Sequence, residues 1–264
     1  MKLLNLLTDE LKRARIFYSL LVVSVILLEG ANISIKFWTF NRLIRYSDEA
    51  VLSLGDFFDY SSEYMMIVGG AAMALLIYAV FTWIRDWYFQ GSFIYRLLNL
   101  PGNRAPIAFA KVGAILMLMA GLLVLQVALF YLTDWLASAF FASRYIANPV
   151  LVSLAQDFSF SNVLIPSHPL TALLTFGFGT SFLLILMNLR IIIFSFKGHG
   201  LLKTATIIIG YILLDLALMI ALFLFIRNPL TTSEVMVFTV GFLVFYMGLQ
   251  GGWMYWLMNH YISI

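Results

Sequence analysis

The sequence predicts an all-α, polytopic membrane protein: six transmembrane helices preceded by an amphipathic interfacial helix. Three observations carry that expectation. Hydrophobic residues make up 62% of the 264 positions and charged residues only 11%, against about a quarter charged in ordinary soluble domains. The mean hydropathy is +0.96. The apolar residues gather into six runs of the length, about 20 residues, that crosses ~30 Å of hydrocarbon. With so few charges, a chain this long cannot cover a water-facing surface. Cysteine is absent, which excludes disulfides, thiolate metal sites and a cysteine nucleophile. No basic run interleaved with polar residues points to nucleic acid.

Residues 1–15 are amphipathic. Leu3, Leu7, Leu11 and Ala14 share one helical face, with Lys2, Asn5, Asp9, Lys12 and Arg13 elsewhere. This pattern suits a helix lying among lipid headgroups; a solvated helix end before a span is the plainer alternative. A long apolar run follows, without a small-x-small cleavage site, so the start reads as a retained span rather than a signal peptide. The six spans cover about residues 16–37, 65–88, 107–132, 170–189, 204–226 and 235–258, in one transmembrane domain over 1–264.

Flanking lysines and arginines orient such a chain. With the N-terminus inside, the inner flanks hold Lys2, Lys12, Arg13, Arg15, Arg85, Arg96, Arg104, Lys111, Arg190, Lys197 and Lys203. The outer side holds Lys36, Arg42, Arg45, Arg144 and Arg227. Eleven against five predicts that both termini are cytoplasmic. Aromatic residues fall where interfacial belts are expected: Trp83, Trp87 and Tyr88 inside, Tyr131 and Trp135 outside, and Trp253, Tyr255 and Trp256 inside. Two outer segments, residues 39–64 and 133–169, are long enough to expect function or mobility. Part of the second is expected to lie on or dip into the membrane. Their residue types name no ligand.

Residues 95–111 form a polar, turn-rich break between two very apolar helices. Leu100-Pro101-Gly102-Asn103 has the Pro-Gly centre of a type II turn. Asn103 is placed to cap the following helix, and Pro106 is tolerated in its first turn. Before the turn, Leu97, Leu98 and Leu100 extend an apolar ridge past the membrane edge, with Arg96 and Arg104 beside it. Such a knob fits a groove on a partner. An ordinary turn with arginines anchored to phosphates explains it equally well.

The pattern Leu97-Leu98-x-Leu100-Pro101-x-x-Arg104-x-x-Ile107-x-x-Ala110-Lys111, just after the second of six spans, resembles the membrane subunit of bacterial type-2 ABC exporters. The resemblance is strongest over some fifteen residues, and the six-span layout extends it across the chain. It implies a permease subunit whose docking region, Arg96, Leu97, Leu98, Leu100, Pro101 and Arg104, meets a separate ATP-binding subunit. ATP and Mg would sit on that partner, with no cofactor here. A second permease copy or a related chain would complete the pathway. One feature departs from the family: many members carry a re-entrant element between spans 5 and 6. Here that link is only residues 227–234, and the long outer segment follows span 3.

The remaining polar residues suggest little chemistry. Gly198-His199-Gly200-Leu201-Leu202-Lys203-Thr204 is the nearest approach to a phosphate loop, but Leu202 stands where glycine must precede the lysine. Asp215 lies in span 5 and Glu29 in the outer half of span 1. A charge at mid-membrane costs about 2.5–3.5 kcal/mol on insertion scales. Each therefore reads either as part of a pathway or as a structural hydrogen-bond partner, with Glu29 also near the outer Asn32 and Lys36. Gly248 and Gly252 form a GxxxG pair for close helix contact, and Gly70 with Ala74 a weaker one. Packing inside one subunit is the favoured use, with a dimer seam as the alternative. Ser181 and His260 faintly resemble a rhomboid-like pair, but at different depths and without the usual glycine after the serine; no metal or catalytic site is expected. The sequence reading is thus an exporter permease for an amphipathic peptide, lipid-like molecule or drug. The alternatives are a membrane scaffold or sensor, and a secondary transporter with Asp215 as its proton site.

Overall fold

The computed structural model describes residues 2–46, 52–58, 62–89, 103–141, 144–146, 150, 169–196, 200–226 and 232–260. Seven α-helices account for nearly all of them: α1 Lys2–Tyr46, α2 Leu54–Phe58, α3 Ser62–Ile84, α4 Ala105–Phe140, α5 Pro169–Ser195, α6 Leu201–Ile226 and α7 Thr232–His260. Six of these, all but α2, are long and apolar enough to cross a membrane. The chain is a multi-pass helical membrane protein.

Two helices outrun their apolar runs. α1 has 45 residues without a break, about 67 Å at 1.5 Å per residue. That exceeds the ~40–45 Å of a whole bilayer with headgroups, so α1 must project beyond it. Residues 2–15, expected to lie as an interfacial helix before the span, are continuous with it. Their buried face is also not the purely apolar one: it carries Leu7, Glu10 and Ala14, while Leu3 is exposed. α4 likewise runs on to Phe140.

The chain divides into two units, with α1, α3, α4 and the start of α5 divided between them. Residues 12–75 and 117–172 form one. Its centre is an aromatic cluster in which Phe57 and Phe58 of α2 meet Phe37, Phe40, Tyr64, Phe130 and Phe141. Residues near 52 and near 144 join here. The Leu52 amide donates to the Arg144 carbonyl (2.8 Å) and the Ile146 amide to the Leu52 carbonyl (2.9 Å). Lys36 Nζ donates to the Phe57 carbonyl (2.6 Å) and Tyr145 to Asp134 Oδ1 (2.6 Å). Burial pushes the Tyr145 phenol up, and the Asp134 carboxylate adds to the shift.

Residues 1–11, 76–116 and 173–264 form the other unit. In it α3 ends in a single π-helical turn, Arg85–Phe89. Trp87 of this turn stacks on Phe194 of α5 at 4.8 Å, and Trp83 Nε1 donates to the Met187 sulfur at 3.0 Å. Trp83, expected in an interfacial belt, is fully buried. Gly200, between α5 and α6, has φ +91°, a left-handed conformation that glycine adopts without strain.

Glycine contacts also differ from expectation. A Cβ at Gly248, Gly252 or Gly70 would meet nothing within 4 Å, so the GxxxG pair makes no close contact with the described chain. Close approaches occur instead at Gly177 against Leu243, Gly121 against Tyr18, and Gly113, where a Cβ would lie 2.9 Å from Leu7 Cδ1.

Candidate functional site

Three buried polar clusters stand out in an otherwise apolar molecule. The first is ionic. Lys111 of α4 has its Nζ 2.7 Å from Glu10 Oε1 and in contact with Asp86 Oδ2. Arg85 Nη2 lies 3.0 Å from Glu10 Oε2, and its Nε 3.3 Å from Asp86 Oδ1. Arg85 Nη1 also donates to the Tyr78 hydroxyl at 3.2 Å. Lys111 Nζ sits 5.4 Å from the Trp83 ring centroid, over its face. Each acid meets both cations. Such mutual pairing offsets the several kcal/mol that desolvating each ion costs. The π-helical turn contributes both Arg85 and Asp86, in keeping with the tendency of π turns to occur at functional sites.

This ionic cluster brackets residues 90–102. Arg85 and Asp86 lie before that stretch and Lys111 after it, and Glu10 ties both sides to α1. A second tie fixes the start of α4: the Arg104 amide donates to Asn259 Oδ1 of α7 (3.1 Å). Asn103 caps α4 as expected, its Oδ1 accepting from the Ala105 amide at 2.9 Å. Of the docking residues read from the sequence, only Arg104 is described; Arg96, Leu97, Leu98, Leu100 and Pro101 lie outside the described residues.

The second cluster surrounds Asp215. Asn188 Nδ2 donates to Gln250 Oε1 (2.8 Å) and to the Gln250 backbone carbonyl (3.1 Å). The Tyr211 hydroxyl donates to Gln250 Oε1 (2.5 Å), and Gln250 Nε2 to Asp215 Oδ1 (2.7 Å). Tyr246 also donates to Asp215 Oδ1 (3.0 Å). Asp215 Oδ2 and Asn188 Oδ1 are buried and accept no hydrogen bond.

The third cluster surrounds Glu29. Tyr64 donates to Gln126 Oε1 (3.2 Å), and Gln126 Nε2 to Glu29 Oε1 (2.5 Å). Glu29 Oε2 is buried and unpartnered. Glu29 is fully buried and hydrogen-bonded to Gln126 of α4, while Lys36 donates to the Phe57 carbonyl.

Comparison with family models, with curated proteins and with solved structures returns no match. The site must speak through its own chemistry. Ser181 is buried with its hydroxyl unpaired, while His260 Nδ1 lies 3.2 Å from the Trp256 carbonyl; the two are not hydrogen-bonded to each other. Among the described residues no three His, Asp or Glu side chains cluster as a metal site requires.

Sequence reasoning found Asp215 and Glu29 but missed Glu10, Asp86, Gln126, Asn188, Tyr211, Tyr246 and Gln250. Part of the Asp215 cluster had a signal. Tyr211 and Asp215, and Tyr246 and Gln250, are each four residues apart on one helix, the spacing that places two side chains on one face. Glu10 had none, because its cations lie far away in sequence; Asp86 adjoins Arg85, but its other cation, Lys111, is 25 positions on.

Proposed function

We propose that this chain is the membrane subunit of an ATP-driven exporter of the type-2 ABC kind, in a bacterial cytoplasmic membrane with both termini inside. One observation carries the reading: the buried Glu10–Arg85–Asp86–Lys111 cluster fixes positions on both sides of residues 90–102, and the sequence that resembles a docking region falls within and just after them. A docking segment transmits force only if its ends are rigidly held, since a free loop would absorb the push. Charges paired within apolar surroundings supply that rigidity, because separating any of them exposes an unpaired buried ion. Arg104, tied through its amide to Asn259, extends the anchorage to α7.

In this reading the chain has no catalytic residue. ATP and Mg bind the partner ATPase, and a second permease copy or a related chain completes the pathway. An open apolar cleft of 410 Å³ lined by Phe37, Trp38, Leu136 and Phe140 supports an amphipathic cargo. The test is copurification. The tagged chain is expected to recover an ATPase, and Leu98→Asp with Arg104→Glu to abolish both recovery and ATP-dependent transport. If neither changes, the exporter reading fails. A secondary transporter is favoured by one feature, the unpartnered oxygen of Asp215. Transport that follows a proton gradient, ignores ATP and stops in Asp215→Asn would replace the first reading with this one.

A further inference from the structure

Two of the buried clusters share one construction. In each, a tyrosine hydroxyl donates to a glutamine Oε1, and the glutamine Nε2 donates to one oxygen of a carboxyl group. The relays are Tyr64→Gln126→Glu29 and Tyr211→Gln250→Asp215. They lie in different units and on different helices. In both, the far carboxyl oxygen, Glu29 Oε2 or Asp215 Oδ2, is buried and without a partner.

The tyrosine decides the orientation. Its hydroxyl engages the amide oxygen, which turns the amide nitrogen toward the carboxyl group. That nitrogen only donates, so the near carboxyl oxygen must accept. At Asp215 the same oxygen also accepts from Tyr246. Among the described residues the donors converge on one oxygen, and the other accepts no hydrogen bond. Among the described residues no hydrogen bond or ion pair joins either carboxyl group to a cation. The groups facing Glu29 are Gln126 and Tyr64; those around Asp215 are Gln250, Tyr246, Tyr211 and Asn188. An ionised carboxylate in this setting keeps a bare anionic oxygen among apolar helices, a state that buried groups avoid by neutralising.

We infer that Glu29 Oε2 and Asp215 Oδ2 are proton-binding sites, each holding one exchangeable proton as a carboxylic acid whose near oxygen is fixed by the glutamine. Binding forms an O–H bond on the far oxygen and cancels the charge; release returns the proton to water and restores the carboxylate. This inference stands on hydrogen-bond geometry and does not rest on the exporter reading.

Infrared spectroscopy of the purified full chain in phospholipid nanodiscs tests it, read at neutral pH in choline chloride. Ion-paired and exposed acids are ionised there and contribute no carboxylic C=O band. The expected spectrum has two such bands, one lost in Glu29→Gln and the other in Asp215→Asn. Gln126→Leu and Gln250→Leu keep the acids but remove the fixing donor. Each should move its own band to higher frequency, a shift that a merely structural acid elsewhere would not show. A spectrum without carboxylic bands, or bands indifferent to all four substitutions, overturns the inference. A band lost in only one acid variant overturns it for the other relay. Loss of the bands when sodium replaces choline at fixed pH would give the far oxygens to a metal ion instead.

Discussion

Lys111 is a long cationic side chain with no exposure, held by two carboxylates and an indole face. Removing its charge takes one cation away from both Glu10 and Asp86. Lys111→Met is expected to cost about 3–5 kcal/mol, the usual penalty for orphaning a buried charge, read as a lower midpoint of thermal unfolding in detergent. Lys111→Arg should cost less, since the charge survives. Adding Asp86→Asn to Lys111→Met should recover part of the loss, and the double-mutant cycle then measures their coupling. If Lys111→Met unfolds like the wild type, the cluster contributes no rigidity and the docking argument loses its support.

At the scale of elements, the contacts between helices are set by particular glycines, not by a motif. Gly177 on α5 is filled by the buried Leu243 side chain of α7, whose branch and both methyls crowd the position. Gly177→Ala should therefore destabilise by about 1–3 kcal/mol, as overpacked sites do. Gly248→Ala meets open space and should stay within about 0.5 kcal/mol, as ordinary exposed positions do. Both are measurable by the same thermal unfolding. A reversed order would show that α5 and α7 meet elsewhere. α1 and α4 teach a related lesson: an apolar run marks where a helix is in lipid, not where it stops. Arg45 and Phe140 lie beyond the apolar runs yet remain helical.

At the scale of the whole molecule, orientation is the quantity that the flanking charges predict and that a labelling experiment reads. With no cysteine in the chain, single cysteines report without background. Arg45→Cys is expected to react with an impermeant maleimide in intact cells, and Leu202→Cys only after the membrane is opened. The opposite pattern would turn the 95–111 stretch away from any cytoplasmic ATPase.

Hydropathy alone determined the helical class and the six spans. Crossing hydrocarbon demands about 20 apolar residues with every backbone group bonded internally, and that demand is local in sequence. The Asn103 cap was legible for the same reason, its partner being two residues away. Tertiary structure decided everything that depends on distant partners. Glu10 pairs with residues 75 and 101 positions away, and Gln126 reaches Glu29 across 97. A charge or amide placed on an apolar helix looks like an isolated cost until the helix carrying its counterpart is beside it. Only then do Glu10, Arg85, Asp86 and Lys111 become one ion-paired group, and Glu29 and Asp215 two copies of the same hydrogen-bonded arrangement.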